Sequence, residues 1–292
     1  METYKGFNKD MTAKNGFQYK EGKEYEEEKA VACECGFRAC EYPLDCFGYY
    51  SPANSVYHIV EQSGELSKNS SDTKVASTKI KIGAEISIAG LVKAAIEYTK
   101  EKAKPESDAT GDYGASSATG YYGASSATGD RGASSATGYY GASSATGDYG
   151  ASSATGDYGA SSATGKCSAS SATGDYGASS ATGDYGASSA TGYYGASSAT
   201  GKCSASSATG YCGSAIAGNP ESVAVAWGYK SKAKGIVGAY IVLADWEENG
   251  RGCSGQKEWS LKSAKMVRID GEKIKADTWY TMENGEIVEV EE

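Results

Sequence analysis

The residues best suited to chemistry are four cysteines that lie close together near the start of the chain. They are Cys33, Cys35, Cys40 and Cys46, all within fourteen residues. Thiolates bind zinc well, so this group is a candidate metal site. Its C-x-C-x4-C-x5-C spacing is not that of a standard zinc finger, and no second cysteine knuckle follows it. The spacing therefore favours small buried thiols, and we expect neither a metal ion nor another cofactor.

A cysteine or serine nucleophile needs an activating base, and the chain contains one histidine, His58. His58 lies in the segment 56–60, whose pattern is typical of a β-strand. A Cys–His pair stays an open alternative, but no motif around His58 indicates one. We predict that the protein has no catalytic residues and is not an enzyme.

Residues 1–104 are predicted to form the compact α+β domain that positions these groups. Short strands are indicated around residues 16–25 and at 56–60 and 79–82. Pro43 suits the first turn of a short helix. A longer helix is indicated at 91–98, where apolar residues recur with helical spacing.

The centre of the chain repeats the nonapeptide A-S-S-A-T-G-D-Y-G without a change of register. Its glycine recurs every ninth residue from Gly111 to Gly210, and residues 109–213 contain no Leu, Ile, Val, Met, Phe or Trp. Such a composition fits a disordered linker. It also fits a β-solenoid, in which each copy supplies one strand and one turn and the copies stack. The constant register favours the solenoid, because nothing fixes the length of a linker repeat.

Each copy contains one candidate strand, such as Ala115–Thr119, followed by a turn between glycines. Nine residues are too few to close a coil comfortably, so we predict two copies per coil in a flat roll of two sheets. The twelve copies then form six coils, about 29 Å long at about 4.8 Å per rung. Side chains alternate along a strand, but the sequence leaves open which of its two faces is inside.

The third turn position carries a ladder of mostly tyrosine, which two copies per coil would divide between opposite edges. Stacked rings about 4.8 Å apart pack favourably. The ladder either covers the turns of a thin roll or forms a strip for self-association, and both interpretations stay open. Its tyrosines are Tyr113, Tyr122, Tyr140, Tyr149, Tyr158, Tyr176, Tyr185 and Tyr194. Cys167 and Cys203, each in a K-C-S copy, would share one edge, two rungs apart.

After residue 213 the nonapeptide register breaks and bulky apolar residues return. We therefore predict three domains, at 1–104, 105–218 and 219–292. Asp270-Gly271 and Asn284-Gly285, each between alternating apolar residues, indicate two β-hairpins. The predicted fold class is mainly β, with a central nonapeptide-repeat β-solenoid between a small α+β N-terminal capping domain and a β-rich C-terminal cap.

Composition excludes several classes of function. The formal net charge is −9 and no basic patch stands out, so binding to nucleic-acid phosphates is not expected. No apolar stretch approaches the roughly 18 residues of a membrane span, and residues 1–5 lack an apolar signal core. We expect synthesis in the cytoplasm, where the eight cysteines stay reduced.

Several segments of the chain resemble an uncharacterised family of phage and prophage proteins from gut bacteria. They are KGFNKD, NGFQYKEGKEYEE, ACECGFRACEYPLDCFGYY, TKVASTKIKIGAEI and, at the end, KADTWYTMENGEIVEVEE. In that family a domain of unknown function precedes short Gly/Ala/Ser repeats. The resemblance implies a phage or prophage setting, including association with the virion, and carries no known activity.

Two shorter resemblances concern other families. Gly36–Cys40, Tyr49-Tyr50 and Tyr57–Glu61 are similar in layout to the middle strands of poly-ADP-ribosyltransferase-like domains, although the upstream histidine motif of that family has no counterpart here. Residues 222–235, and S-S-A-T-G in each repeat, resemble the S-x-A-x-G coils of trimeric autotransporter heads. That resemblance implies a left-handed roll and a trimer.

From these features we predict a structural or interaction protein, a rigid solenoid whose tyrosine ladder and Ser/Thr faces bind further copies of itself or a protein partner. Three alternatives stay open. The unit D-Y-G-A-S-S-A-T is similar to the turns of ice-nucleation proteins, which implies binding of ice or ordered water. The N-terminal layout implies an ADP-ribosyltransferase-like domain. A phage setting would also allow an antagonist of host defence.

Overall fold

The computed structural model describes residues 1–31, 34–52, 54–68, 73–102, 107–251 and 257–290. Within these ranges the chain forms an N-terminal α+β module and a β-solenoid that antiparallel strands extend at its C-terminal end. The predicted fold class is therefore confirmed. In the described part, no helix is both long and apolar enough to cross a membrane.

The N-terminal module is built on a small antiparallel sheet. Its strands are β1 (Glu2–Asn8), β2 (Glu24–Glu26), β3 (Phe37–Cys40), β4 (Ser55–Lys68) and β5 (Lys74–Glu85). They pair in the order β2–β5–β3–β1–β4, and β4 pairs again with β5, so the sheet closes on itself. Its core contains Phe7, Phe37, Val60, Ile80 and Ile82. The strands predicted at 56–60 and 79–82 are confirmed, the first near the start of β4 and the second in the middle of β5.

Two helices connect this sheet to the solenoid, and both lie where the sequence predicted them. The first is a 3-10 helix, Pro43–Gly48, with Pro43 in its first turn. The second is α1, Ile88–Lys102, which buries one side. That side consists of Ile88, Leu91, Val92, Ala95, Ile96 and Thr99. It packs on a row of solenoid alanines, so α1 lies along the flank of the roll.

The solenoid consists of two sheets to which successive strands contribute alternately. Sheet A contains β6 (Ser107–Thr110), β8 (Ala124–Thr128), β10 (Ala142–Thr146), β12 (Ala160–Thr164), β14 (Ala178–Thr182), β16 (Ala196–Ala199), β18 (Ser214–Ala217), β20 (Lys232–Gly235), β23 (Tyr280–Glu283) and β24 (Glu286–Glu289). Sheet B contains β7 (Ala115–Thr119), β9 (Ala133–Thr137), β11 (Ala151–Thr155), β13 (Ala169–Thr173), β15 (Ala187–Thr191), β17 (Ala205–Ala208), β19 (Val223–Ala226), β21 (Tyr240–Arg251) and β22 (Lys257–Arg268).

The pairing of these strands fixes the size of one coil. Ala142 pairs with Ala160 in sheet A, and Ala151 pairs with Ala169 in sheet B, always in parallel. Partners are thus 18 residues apart (160 − 142), which confirms two copies per coil. The solenoid has about eight coils between residues 108 and 243, more than the six expected from the nonapeptides alone.

The inside of the roll is occupied by the second and fourth residues of each strand, which settles the question that the sequence left open. Ser152 and Ala154 are buried in sheet B, as Ser161 and Ala163 are in sheet A. The inner serines form one hydrogen-bonded chain from Ser206 to Ser116, in which each hydroxyl donates to the serine nine residues earlier at 2.8–3.0 Å. The buried serine hydroxyls therefore find their hydrogen-bond partners within the roll itself.

The commonest turn reads Gly-Asp-Tyr-Gly, and close stacking explains its first glycine. Gly147 has a φ of +132° and Tyr149 has a φ of +60°. A Cβ on Gly165 would stand 2.2 Å from the carbonyl oxygen of Gly147 in the preceding coil, so only glycine lets the coils stack at this corner. Oδ1 of Asp148 accepts a hydrogen bond from the backbone N–H of Lys166 at 2.9 Å. The aspartates thus link one coil to the next.

The parallel ladder continues beyond residue 213, although the nonapeptide register ends there. Val223 pairs with Ala205 at the same 18-residue spacing. The coil persists because the inner positions stay small, with Ala215, Ala217, Ala224, Ala226 and Ala233 all buried. Bulky inner residues appear only in the last coil, where Ile241 and Leu243 begin the core of the C-terminal cap.

Two antiparallel hairpins, β21–β22 and β23–β24, extend the two sheets at this end. The hairpin predicted at Asn284-Gly285 is confirmed, with both residues at positive φ. The prediction of a hairpin at Asp270-Gly271 is wrong. Oδ1 of Asp270 instead accepts three backbone N–H groups, those of Glu272, Lys273 and Ile274, which fold this segment into a tight turn.

Candidate functional site

The two outer faces of the solenoid carry the same side chains but have different neighbours. On sheet A the first alanine of each repeat strand lies under α1 and is buried. These alanines are Ala124, Ala142, Ala160, Ala178 and Ala196. On sheet B the equivalent residues are uncovered and exposed or half-buried, and they are Ala115, Ala133, Ala151, Ala169, Ala187 and Ala205. We call this outer surface of β7, β9, β11, β13, β15 and β17 the open face.

The open face consists of three parallel rows. Each strand contributes an alanine, a serine and a threonine, and the strands pair in register, so like residues lie above one another. In the rung of β11 these residues are Ala151, Ser153 and Thr155. Val223 and Tyr240 continue the alanine row into the last coils. The repeat part of this surface is therefore flat, uncharged and made of small side chains.

One edge of the solenoid, which we call the tyrosine edge, packs against the N-terminal module. Stacked rings follow it, with centroids 5.1 Å apart for Tyr122 and Tyr140 and 5.0 Å apart for Tyr158 and Tyr176. Tyr194 continues the stack. The hydroxyl of Tyr42 donates to the backbone carbonyl of Tyr158 at 2.6 Å. On this edge the tyrosine ladder covers the turns, which is the first of its two predicted roles. It also packs against the N-terminal module.

Burial has a chemical consequence for the tyrosine edge. Tyr140 packs against Tyr42 at a centroid distance of 4.6 Å and is buried. Burial, with a smaller contribution from Asp45, raises the pKa of Tyr140 far above its ordinary value, and burial raises that of Tyr158 in the same way. These phenols stay neutral at physiological pH and act as packing groups.

The opposite edge, which we call the aspartate edge, is exposed and charged. Tyr113, Tyr149 and Tyr185 project from it into solvent. The guanidinium of Arg131 lies between the rings of Tyr113 and Tyr149, 5.2 and 5.5 Å from their centroids. Its aspartates accept backbone N–H groups of the following coil, as Asp148 does. The predicted tyrosine ladder is thus divided between two edges of different chemistry.

Cys167 and Cys203 both lie exposed on the aspartate edge, two coils apart, as the sequence predicted. Beside Cys203, Lys202 forms an ion pair with Glu221 at 3.4 Å. Because solvent screens this pair, its contribution to stability is small.

The structure brings part of the N-terminal cysteine group together. Cys40 on β3 and Cys46 in the 3-10 helix are buried, and the hydrogen bond between them, with burial, raises the pKa of the Cys40 thiol well above its ordinary value. The thiol of Cys46 also donates to the carbonyl of Tyr4 at 3.2 Å. Cys35 is half-buried, and Cys33 lies outside the described residues. Among the described residues, no three His, Cys, Asp or Glu side chains are grouped to hold a metal ion.

A cavity of about 500 Å³ lies beside these thiols, and the sequence analysis does not predict it. Lys5 of β1 lines it and is only 8% exposed, and its ammonium donates to the carbonyl of Arg38 at 2.7 Å. A signal existed in the sequence, because Lys5 falls between Thr3 and Phe7 at the inward positions of a strand. A lysine at a buried position of an alternating strand is uncommon unless it has a partner or a ligand.

His58 is buried in β4, where Nδ1 lies 2.9 Å from the carbonyl oxygen of Gly83 and the ring meets the edge of Phe7. Of the segments that resemble the transferase layout, Gly36–Cys40 covers β3 and Tyr57–Glu61 falls on β4, whereas Tyr49-Tyr50 follows the 3-10 helix. In the sheet these two strands flank β1 and do not pair with each other.

Comparison with known families gives one match. Residues 1–94 match a family described as a domain of unknown function, DUF7666. The matched segment includes the N-terminal sheet, the cavity at Lys5 and the first part of α1. No curated protein and no solved structure matches the chain. The comparison thus shows a domain of unknown function at the start of the chain.

Proposed function

We propose that the protein is a non-enzymatic scaffold whose solenoid binds a second copy of the chain through the open face. The observation that carries this proposal is the difference between the two sheets. Helix α1 fills the alanine row of sheet A, whereas the identical row of sheet B has no cover from the described residues. Small side chains allow two such faces to approach closely, as they do in stacked sheets.

The open face has the size that a stable dimer requires. Together with the rungs of β19 and β21, which continue it, the open face has eight parallel rungs. These measure about 38 Å, and five residues of strand measure about 17 Å. Two such faces would bury about 1,300 Å² in total, which falls within the range of specific interfaces. The serine and threonine hydroxyls can both donate and accept hydrogen bonds, so the rows are self-complementary.

The net charge of −9 opposes association of two copies. In the repeat region these charges occupy the turns and leave the open face neutral. Added salt screens repulsion between the edges without weakening apolar contacts. Dimerisation should therefore strengthen as the ionic strength rises.

The test is sedimentation equilibrium of the wild type and of two matched arginine variants. Ala151→Arg places a long charged side chain in the middle of the open face. Thr146→Arg places the same side chain on an exposed position of sheet A. We expect a concentration-dependent dimer for the wild type and for Thr146→Arg, and a monomer for Ala151→Arg. A wild type that is monomeric at millimolar concentration, or equal behaviour of the two variants, would contradict the proposal.

A second candidate function is the binding of ordered water, favoured by the regular threonine row of the open face. In that row Oγ1 of Thr191 lies 3.4 Å from Oγ1 of Thr173 in the neighbouring rung. Thermal hysteresis measured on the wild type and on Thr155→Val tests it. Equal freezing behaviour of the protein and of a buffer with the same osmolality would remove this candidate.

The setting that we propose for the scaffold is a phage or prophage particle, on the basis of the sequence resemblance. A rigid spacer that binds itself suits a particle built from many copies of few proteins. Co-sedimentation of the protein with purified particles would support this setting. Recovery with a host protein and not with particles would instead favour an antagonist of host defence.

A further inference from the structure

The cavity of the N-terminal module is rich in positive charge. Four cationic side chains line it, and they are Lys5, Lys14, Arg38 and Lys74. Two acidic side chains, Glu27 and Glu34, also line it and are exposed. The cations therefore outnumber the acids by two in a space of about 500 Å³, which lies within the size range of small-molecule sites.

Lys5 is the most unusual of these side chains, because it is buried. Its ammonium makes one hydrogen bond, to the carbonyl of Arg38, and stands 5.4 Å from the ring centroid of Phe7 and 5.6 Å from that of Tyr19. Among the described residues, no carboxylate forms an ion pair with it. A buried cation without a counter-charge is costly. The remaining N–H groups and the cavity beside them leave room for an anion.

The rest of the lining is aromatic. Tyr4, Tyr19, Tyr49 and Tyr50 contribute to it. Gly6 makes room for this arrangement, because a Cβ there would stand 2.6 Å from Tyr50. Aromatic walls with a charged group at one end are typical of sites for small organic ligands with a charged head.

We infer that this cavity binds a small organic anion, a carboxylate or phosphate attached to a ring or an apolar body of similar size. Nζ of Lys5 is the direct partner of the anionic group, and the tyrosine rings pack against the body. Lys14, Arg38 and Lys74 make the mouth positive and attract the ligand. This inference is independent of the open face of the solenoid.

The protonation state of Lys5 adds an expected pH dependence to this inference. Burial lowers the pKa of Lys5 to about 8, with a smaller effect of Arg38 in the same direction and an opposing effect of the Cys40 and Cys46 thiols. His58 of β4 pairs with Lys5 across the sheet. The titratable or charged groups that line the same cavity are Tyr4, Lys14, Tyr19, Glu27, Glu34, Cys35, Arg38, Cys40, Cys46, Tyr49, Tyr50 and Lys74. A bound anion stabilises the ammonium form and raises its pKa.

The affinity should therefore depend on pH in a defined direction. Below pH 8 the free protein already holds the proton, and the affinity stays level. Above pH 8 the proton must be taken up on binding, and the affinity falls by about tenfold per pH unit.

The probe is phenyl phosphate, measured by isothermal titration calorimetry on the full chain at pH 7 and pH 9. Benzyl alcohol, which has the ring without the charge, is the matched neutral compound. We expect binding of phenyl phosphate at least tenfold tighter than that of benzyl alcohol at pH 7. At pH 9, buffers of different ionisation enthalpy should reveal uptake of close to one proton per ligand.

The variants are Lys5→Met and, as a matched control, Lys81→Met on an exposed position of β5 outside the cavity. Lys5→Met should lose at least tenfold in affinity and should lose the pH dependence, whereas Lys81→Met should stay within twofold of the wild type. Circular dichroism checks that Lys5→Met is folded. If Lys5→Met is not folded, the proton uptake of the wild type on binding phenyl phosphate at pH 9 tests the inference instead. Absence of binding at millimolar phenyl phosphate, or binding that depends neither on pH nor on Lys5, would overturn the inference.

Discussion

The two faces of the solenoid are built from the same pentapeptide, yet one is a core and the other is a surface. Ala160 in sheet A is 0% exposed because α1 lies on it, whereas Ala151, nine residues earlier in sheet B, is exposed. The two strands have identical sequences and identical inward residues. The comparison teaches that the role of a repeat face is decided by what packs on it, and not by its own composition.

The two edges extend the comparison, and here the sequence does differ. Doubled tyrosines such as Tyr121-Tyr122 and Tyr139-Tyr140 occur on the tyrosine edge, whereas the K-C copies occur on the aspartate edge. The variation between copies therefore follows a period of 18 residues (139 − 121), the length of one coil. The edge with the doubled tyrosines is also the one that contacts the N-terminal module.

The largest expected effect comes from removing equivalent rings on the two edges. Tyr140 is 5% exposed and contacts Tyr42, whereas Tyr149 is 59% exposed. Tyr140→Ala should lower the free energy of unfolding by about 3 kcal/mol, as for other buried aromatic truncations. Tyr149→Ala should change it by less than about 0.5 kcal/mol. Urea denaturation measures both, and hydrogen exchange of α1 tells whether the loss is local.

An equal loss for the two tyrosine variants would break the comparison. It would mean that the N-terminal module contributes no packing to the tyrosine edge. The helix amides provide the internal control, since their exchange should accelerate in Tyr140→Ala alone.

The second effect comes from overfilling equivalent alanine positions. Ala160→Leu must displace α1 from sheet A and should destabilise the protein by about 2 kcal/mol. Ala151→Leu adds the same atoms to the open face, where no described element lies above them, and should be close to neutral. Thermal unfolding of the two variants at low protein concentration measures the difference, because dimerisation would otherwise stabilise one of them. Similar melting temperatures would contradict the assignment of covered and open faces.

Much of the architecture could be predicted from the sequence because a repeat imposes its own geometry. A constant register and the absence of large side chains require stacked coils, and nine residues are too few for one coil. The inner face could not be predicted, because the alternation Ala-Ser-Ser-Ala-Thr places small residues on both sides. The ladder continues past residue 213, where the nonapeptide ends, because the coil depends on small inner residues such as Ala224 and not on the nonapeptide itself.

The site in the N-terminal module could not be predicted, for a different reason. The cysteines form a motif in the sequence, but the cavity is assembled from residues far apart in the chain, such as Lys5, Arg38 and Lys74. The packing of the N-terminal module against the tyrosine edge depends in the same way on a contact between distant residues, Tyr42 and Tyr140. Long-range contacts of this kind have no local pattern.

The smallest effect, and the strictest test of the comparison, concerns the inside of the roll. Ser161 in sheet A and Ser170 in sheet B belong to the same hydrogen-bonded chain, and each donates to and accepts from a serine at 2.9–3.0 Å. Replacing either by alanine removes two hydrogen bonds at an equally buried position, so each should cost about 1 kcal/mol, and the two costs should be equal.

Ser153→Ala on the open face is the matched control, since its hydroxyl lies outside the roll, and it should change the unfolding midpoint little. If the costs of Ser161→Ala and Ser170→Ala differed by more than about 0.5 kcal/mol, the two sheets would differ inside as well as outside. The contrast between the faces could then no longer be attributed to α1. Equal costs would instead place the entire difference between sheets A and B in the element that covers one of them.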